Sequence, residues 1–167
     1  MPNPVQPPTW ISPEGAAFIQ QGVSINVASR DVRHVPSITR ALGCRIAPDG
    51  KTLDVILNAT QSETLLRDLR KTAAIAVVFS QPTTHRSLQI KGGDAMLRPA
   101  TDADRDLVAF THTAFLSEIA PLGFPPAFCD RMFSHGPDDL CVVTFTPDAV
   151  FQQTPGVGAG ARLDVAP

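Results

Sequence analysis

The chain has few cysteines, no long apolar run and no strong excess of either charge, and each shortage excludes a class of protein. The cysteines Cys44, Cys129 and Cys141 are far apart and form no C-x-x-C pair, so each is expected to be a small buried hydrophobe in a reducing compartment. No apolar run is long enough to span a bilayer. The first ten residues contain no basic segment followed by an apolar one, so no signal peptide is expected. Together these features predict a cytoplasmic protein without a membrane partner.

Motifs for hydrolysis and for metal binding are also missing. The four histidines have no metal-ligand spacing, and none pairs with a cysteine as a zinc site requires, so no metal site is predicted. The sequence contains no G-x-S-x-G elbow and no Cys–His arrangement that would nominate a nucleophile. The glycine-rich stretch 156–160 is followed by only seven residues, too few for the helix that a nucleotide-binding motif needs. It is therefore predicted to be a flexible tail.

The composition predicts one globular domain with two distinct ends. Apolar residues make up 43% of the chain, and the net charge of −2 argues against a nucleic-acid partner. Residues 1–14 contain five of the 16 prolines and should form an extended arm, with Trp10 as an anchor onto the body or onto a partner subunit. The folded body is predicted over residues 15–153, and the flexible tail over residues 154–167.

The order of the predicted elements favours an antiparallel fold. A first helix is expected to begin at Thr60, which forms a capping box with Glu63, and a second helix is expected to begin at Thr101. A compact loop or short helix is expected between residues 121 and 136. Strands are predicted over residues 23–30, 37–46, 52–57, 74–79, 85–97, 140–146 and 150–153. Since strands and helices do not alternate regularly, the expected class is α+β, mainly β: an antiparallel barrel of about six to seven strands with flanking helices.

The fifth predicted strand is the most informative segment, because its polar and apolar residues alternate. Leu88 and Ile90 point to one side. The residues on the other side are His85, Ser87, Gln89 and Lys91. Such a strand can hold a polar anionic ligand against a barrel, but an ordinary half-solvated strand shows the same alternation. Both interpretations stay open at this point.

Two further segments carry groups that suit a phosphate. Arg30 ends the first strand, and Ser37, Thr39 and Arg40 lie on the second; arginine forks and hydroxyls are suitable ligands for a phosphate dianion. Solvated surface arginines explain these residues equally well. The free amides at the helix start Thr60–Ser62 make an anion site if the helix points into a cleft, and otherwise they are only a helix cap.

Taken in order, these segments resemble the flavin mononucleotide (FMN)-binding split β-barrel proteins related to pyridoxamine 5′-phosphate oxidase. The resemblance covers roughly residues 15–98, and its most specific piece is Arg86–Gly92, with the sequence R-S-L-Q-I-K-G. It implies a homodimer that binds FMN at the subunit interface, and an oxidoreductase that acts on a small molecule. The chemistry would belong to the flavin, while the protein supplies orientation and electrostatics.

The resemblance also implies which residues contact the cofactor. The flavin phosphate would be held by Arg40 together with the helix start, and the ring would lie near the turn before the fifth strand. The implied helix-start residues are Thr60, Gln61 and Ser62, and the implied ring residues are Thr84, Arg86 and Ser87. Ser87 stands where the oxidases carry a glutamine.

The chain departs from the oxidases at two points. Gln61-Ser62-Glu63 replaces an Arg-Lys pair beside the phosphate, and the absence of tyrosine removes any phenolic substrate contact. These departures argue against the oxidase activity itself. Two alternatives remain: a non-catalytic protein that binds flavin, haem or another planar cofactor, and a structural dimer whose polar strand face is simply hydrated.

Overall fold

The computed structural model describes residues 6–163, which form eight strands and four α-helices. The strands are β1 (Ser24–Arg30), β2 (Pro36–Ile46), β3 (Leu53–Asn58), β4 (Ile75–Ser80), β5 (Ser87–Gly92), β6 (Met96–Pro99), β7 (Leu140–Phe145) and β8 (Ala149–Gln152). The helices are α1 (Pro13–Ile19), α2 (Glu63–Thr72), α3 (Asp102–Ile119) and α4 (Pro126–Met132). All pairings are antiparallel, in the order β6-β7-β3-β2-β1-β4-β5-β8. The predicted α+β antiparallel fold is confirmed.

The sheet has one strand more than predicted because the segment 85–97 divides at Gly92. A Cβ atom on Gly92 would lie 2.5 Å from Cδ2 of Phe145 and 2.8 Å from the carbonyl oxygen of Thr146, so only glycine fits this crossing. Before the crossing β5 pairs with β4 and β8, whereas after it β6 pairs with β7 at the opposite edge. The chain therefore crosses here from one end of the strand order to the other.

The core lies inside the curved sheet. Its main cluster joins inward side chains of β1, β3, β4 and β5 to the leucines of α2, and Leu65, Leu66 and Leu69 form the buried stripe that the sequence predicts. A second cluster lies outside β2, β3 and β7, where α3 packs through Val108 and Phe115. Burying these side chains contributes roughly 1.5–3 kcal/mol each to the free energy of unfolding.

The predicted start of α2 is wrong. The helix begins at Glu63, and Thr60 instead donates from its amide and from Oγ1 to the carboxylate of Asp139, at 2.9 and 2.8 Å. In the predicted capping box the Glu63 side chain would accept from the amide of Thr60, but Asp139 takes both donors of Thr60 instead. In contrast, α3 begins at Asp102 as predicted, and both the amide and Oγ1 of Thr101 donate to Asp104 at 2.9 Å.

The terminal segments contact the body of the protein within the described residues. The amide of Gln6 donates to the carbonyl of Pro48, and Nε1 of Trp10 donates to the carbonyl of Gly50. At the other end, Leu163 donates to the carbonyl of Val150, so the chain folds back along β8. The rest of the predicted arm and tail, residues 1–5 and 164–167, lies outside the described residues. Between residues 6 and 163, no helix combines the length and apolarity needed to cross a membrane.

Candidate functional site

One surface of the sheet gathers four of the candidate ligand residues that the sequence singles out, Arg30, Arg40, Ser87 and Gln89, together with Lys91. Strand register places the even-numbered residues of β1, of β4 and of β2 before its bulge, and the odd-numbered residues of β5, on the side away from the main core. We call this surface the outer face. It consists of Ser24, Asn26, Ala28, Arg30, Ile38, Arg40, Ala76, Val78, Ser80, Ser87, Gln89, Lys91 and, from β8, Phe151.

The outer face carries positive charge without negative charge. Arg30, Arg40 and Lys91 are its charged residues, and none of the three forms an ion pair with a carboxylate of the described chain. Between them lie serine hydroxyls and the amides of Asn26 and Gln89, around a centre of small apolar side chains. Such a surface suits a flat ligand with an anionic group.

Arg40 is the most restrained of these cations. Its Nη1 donates to Oγ of Ser24 at 3.1 Å, and its guanidinium carbon lies 4.6 Å from the ring centroid of Phe115. Burial lowers the pKa of Arg40, although an arginine remains charged. Its Nε is buried and finds no hydrogen-bond partner among the described residues. This donor therefore lacks an acceptor within the described chain.

The polar side of β5 faces outward as the alternation predicts. Leu88 and Ile90 are buried in the core, whereas Gln89 is half-buried and Lys91 is exposed. Ser87 lies at 2.7 Å from Ser80, Oγ to Oγ, and its amide donates to Oγ1 of Thr154 at 2.9 Å. This network fixes the Ser87 hydroxyl at one end of the outer face.

The turn that precedes β5 is held by a residue that the sequence analysis missed. Glu118, near the end of α3, accepts from the amide of Thr83 at 3.1 Å and from Nε2 of Gln81 at 3.2 Å, and Oγ1 of Thr83 also donates to it. Burial raises the pKa of Glu118, but the hydrogen bonds from Thr83 and Gln81 outweigh burial and lower it. No sequence signal links residues so far apart.

Three predicted ligand residues lie in or beside this turn, and they point in different directions. Thr84 donates from Oγ1 to Oε1 of Gln81, and His85 adopts a positive φ of 61°. Arg86 stacks 4.4 Å from the ring centroid of Phe18 and pairs with Glu14 of α1 at 3.0 Å. The guanidinium of Arg86 is therefore directed toward α1, whereas Ser87 and Gln89 lie on the outer face.

The residues predicted to hold the phosphate are divided among three places. Because successive strand residues alternate, Ser37 and Thr39 lie on the opposite side of β2 from Arg40. Ser37 donates to Asp68 at 2.7 Å, and Thr39 is 3.1 Å from Ser62, Oγ1 to Oγ. Arg40 lies on the outer face, at the same end as Asn26, and Arg30 lies toward the opposite end.

The helix start itself is only partly available to a ligand. Hydrogen bonds from the amide and hydroxyl of Thr60 lower the pKa of Asp139, which shows how firmly the two residues are joined. Gln61 is exposed and borders an open cavity of about 540 Å³. Arg131 of α4 lines the same cavity, and sequence reasoning did not identify it because α4 was predicted only as a compact segment.

The cysteines Cys44 and Cys141 have raised thiol pKa values. Burial raises the pKa of Cys44 to about 12 and that of Cys141 to about 11, so these thiols stay protonated near neutral pH. Among residues 6–163, no group of three histidine, cysteine or acidic side chains is placed to hold a metal ion.

No protein-family model matches the sequence, and no curated protein matches it. Solved structures are similar in fold. HupZ from Group A Streptococcus matches with a TM-score of 0.55 and 16% identity, over 90% of this chain and 99% of that chain. A putative pyridoxamine 5′-phosphate oxidase from Lactobacillus delbrueckii matches with a TM-score of 0.54 and 11% identity, over 86% of this chain and 94% of that chain. An F420 reductase matches with a TM-score of 0.52 and 16% identity, over 83% of this chain and 98% of that chain.

Proposed function

The chain has the split β-barrel fold of the proteins related to pyridoxamine 5′-phosphate oxidase, and from this premise we propose that it is an FMN-binding oxidoreductase acting on a small molecule. The observation that carries the proposal is the outer face, where Arg30, Arg40 and Lys91 have no carboxylate partner in the described chain. FMN combines a flat ring with a phosphate dianion, and charge-assisted hydrogen bonds to such an anion are the strong ones.

The residues of the outer face fit this cofactor. Arg40 would hold the phosphate through the guanidinium N–H groups that Ser24 does not accept, since Arg40 has no carboxylate partner among the described residues. Ser87 and Gln89 would donate to or accept from the polar edge of the ring, and the small side chains of Ala28 and Ala76 leave room for a flat group. When bound, the flavin supplies hydride transfer, while these residues orient it and exclude water.

We also propose that a second copy of the chain covers the outer face, with the cofactor at the interface. Val78, Ala28 and Ala76 are only half-buried, and the side chain of Ile38 is 72% exposed. A continuous apolar strip with a polar rim is typical of a protein interface. Ile38→Glu should therefore convert a dimer into a monomer in light scattering. A wild-type monomer, or an unchanged dimer in this variant, would contradict this part of the proposal.

The visible spectrum of freshly purified protein tests the cofactor directly. A yellow protein that releases one FMN per subunit on heating is the expected result. Arg40→Ala should lose most of the bound flavin, because it removes the phosphate contact. The control is Arg67→Ala, which removes an exposed arginine of α2 outside the outer face. A colourless wild type that ignores added FMN, or full retention by Arg40→Ala, would contradict the proposal.

One observation favours a second candidate, a protein that binds a planar cofactor without turnover. The hydroxyls of Thr60 and Ser62 are already bonded to Asp139 and Thr39, and Glu63 places an acid in the first turn of α2. Fewer groups are then free for a phosphate than in the oxidases. Anaerobic addition of a nicotinamide donor separates the two candidates: rapid bleaching of the flavin supports the oxidoreductase, and an unreduced cofactor supports the binding protein.

A further inference from the structure

A small cavity at one end of the outer face is lined by two cations. It has a volume of about 270 Å³ and lies where β1, β4 and β5 run side by side. Arg30 and Lys91 line it, and its apolar lining includes Ala28, Ala74 and Ala76. Since complete ligands occupy pockets of roughly 300–1,000 Å³, this cavity fits one group of a ligand and not a whole cofactor.

The strand register explains why the cavity exists. Ala76 pairs directly with Ala28 on one side and with Lys91 on the other, so a small side chain lies beside the lysine stem. Arg30 follows Ala28 by two residues on the same face, one strand repeat further along β1. The two cations therefore flank the alanine pair, and the missing side-chain volume between them is the cavity.

Neither charge is neutralised by the protein. None of the described residues that line the cavity is acidic. Nη1 of Arg30 makes a long hydrogen bond of 3.4 Å to the carbonyl of Asp31, which leaves its other donors available. Nζ of Lys91 lies 4.7 Å from the ring centroid of Phe151, a contact that orients the ammonium group without cancelling its charge. Two cations on one cavity repel each other, and a bound oxyanion would relieve that repulsion.

We propose that the Arg30–Lys91 cavity binds the carboxylate or phosphate group of the small molecule on which the protein acts. This anion site is separate from Arg40, which bonds Ser24 and packs on Phe115 instead. The assignment to a substrate rests on the proposed flavin function. The binding of an oxyanion by the cavity does not, because every residue that carries it belongs to the described chain.

Titration of the flavin-free protein with succinate and with inorganic phosphate tests the anion site by itself. Lys91→Gln and Arg30→Gln should each weaken binding about tenfold, the change expected when a charge-assisted hydrogen bond is lost at a partly exposed site. The matched control is Lys51→Gln, an exposed lysine in the turn between β2 and β3, which should bind both probes as the wild type does. Equal binding by all four proteins, or no binding of either probe by the wild type, overturns the proposal.

A parallel titration with FMN separates this inference from the proposed function. If Lys91→Gln leaves FMN affinity unchanged while weakening succinate or phosphate, the anion belongs to the substrate, as proposed. If FMN affinity falls by the same factor, the cavity holds the cofactor's own phosphate and the substrate assignment is overturned. If the wild type binds succinate but no FMN, the proposed flavin function and the substrate assignment are both overturned. The proposed anion site is supported by the same result.

Discussion

The molecule holds its basic side chains in two contrasting ways. Beside α3, Arg45 and Arg98 are paired with Asp54 and Asp104 at distances between 2.6 and 3.2 Å. On the outer face, Arg30, Arg40 and Lys91 have no such partner among the described residues. The residue types are nearly the same, but only the cations of the outer face have a charge that is free to attract an external anion.

The paired arginines hold the architecture together. Arg45 comes from β2, Asp54 from β3, Arg98 from β6 and Asp104 from α3, so this partly buried cluster joins four elements. Burial raises the pKa of Asp104, but hydrogen bonds from Arg98 and Thr101 outweigh burial and hold the pKa well below its usual range. Hydrogen bonding to Asp104 raises the pKa of Arg98 in turn.

The difference teaches that the partner, and not the residue type, decides the role of a cation. An arginine whose charge is satisfied inside the fold adds to stability and has little left for a ligand. A cation held in place without a counter-charge adds little to stability, yet it keeps its electrostatic attraction for an external anion.

The largest expected effect is the loss of the paired cluster. Asp104→Asn should lower the free energy of unfolding by about 3 kcal/mol, because it leaves two partly buried arginines with a single carboxylate. Urea unfolding followed by circular dichroism measures the change. Asp102→Asn is the control on the same helix, since its fully exposed carboxylate pairs only at the surface with Arg105 and should cost less than about 1 kcal/mol. Equal effects would remove the distinction between buried and surface pairs.

The pH dependence of stability sharpens the same point. The pKa of Asp104 is lower in the folded state than its ordinary value of 3.8, so its contribution is complete above that value and is lost as the pH falls below it. The difference in unfolding free energy between wild type and Asp104→Asn should stay constant from about pH 5 to 7 and shrink below about pH 4. A difference that grows on acidification would contradict the cause assigned to this pKa.

The next largest effect on stability is expected from a comparison of Arg98, from the paired cluster, with Lys91, from the outer face. Arg98→Gln should cost about 2 kcal/mol in the free energy of unfolding, whereas Lys91→Gln should change it by less than about 0.5 kcal/mol. The reason is that Lys91 has no carboxylate to leave unpaired and its removal lessens repulsion with Arg30. Thermal and urea unfolding of the two variants side by side give the comparison. A similar loss in both would mean that the outer-face cation has a structural role.

Salt should produce the smallest effect and should act on only one of the two groups. Raising the salt concentration from about 0.05 M to about 0.5 M should weaken FMN binding a few-fold, because it screens the cations of the outer face, which carry no counter-charge and of which Lys91 is exposed. The unfolding free energy should change little over the same range, since close and partly buried ion pairs such as those of the paired cluster are screened much less than exposed charges. Fluorescence titration of FMN measures the first quantity. Binding that does not respond to salt would argue against electrostatic attraction at the outer face.

Local patterns predicted the parts of the fold that depend on neighbouring residues. The alternation around Leu88 and Ile90 placed β5 correctly, because a strand shows its two sides directly in the sequence. The start of α3 was also predicted, since its capping residues Thr101 and Asp104 are three positions apart. Thr60 was misread because its partner Asp139 lies 79 residues later in the chain.

The candidate site was predictable only in part for the same reason. Arg40 and Ser87 were identified from strand patterns and do lie on one face, but Ser37 and Thr39 face the other side of β2. Glu118 accepts a hydrogen bond from Thr83, which lies 35 positions away in the sequence, and no local sequence pattern predicts this contact. The cavity beside Lys91 depends on the side chains of two neighbouring strands, so it cannot be predicted from any single segment of the sequence.

By itself the sequence determined the identity of the elements: which segments alternate and which form helices. These properties follow from steric and hydrogen-bonding preferences that act over a few residues. Only the tertiary structure decided which cations were neutralised, because the carboxylates beside Arg45 and Arg98 arrive from other strands and from α3. The charge that remains available on the outer face is a property of the folded chain, since ion pairing depends on distance in space and not along the sequence.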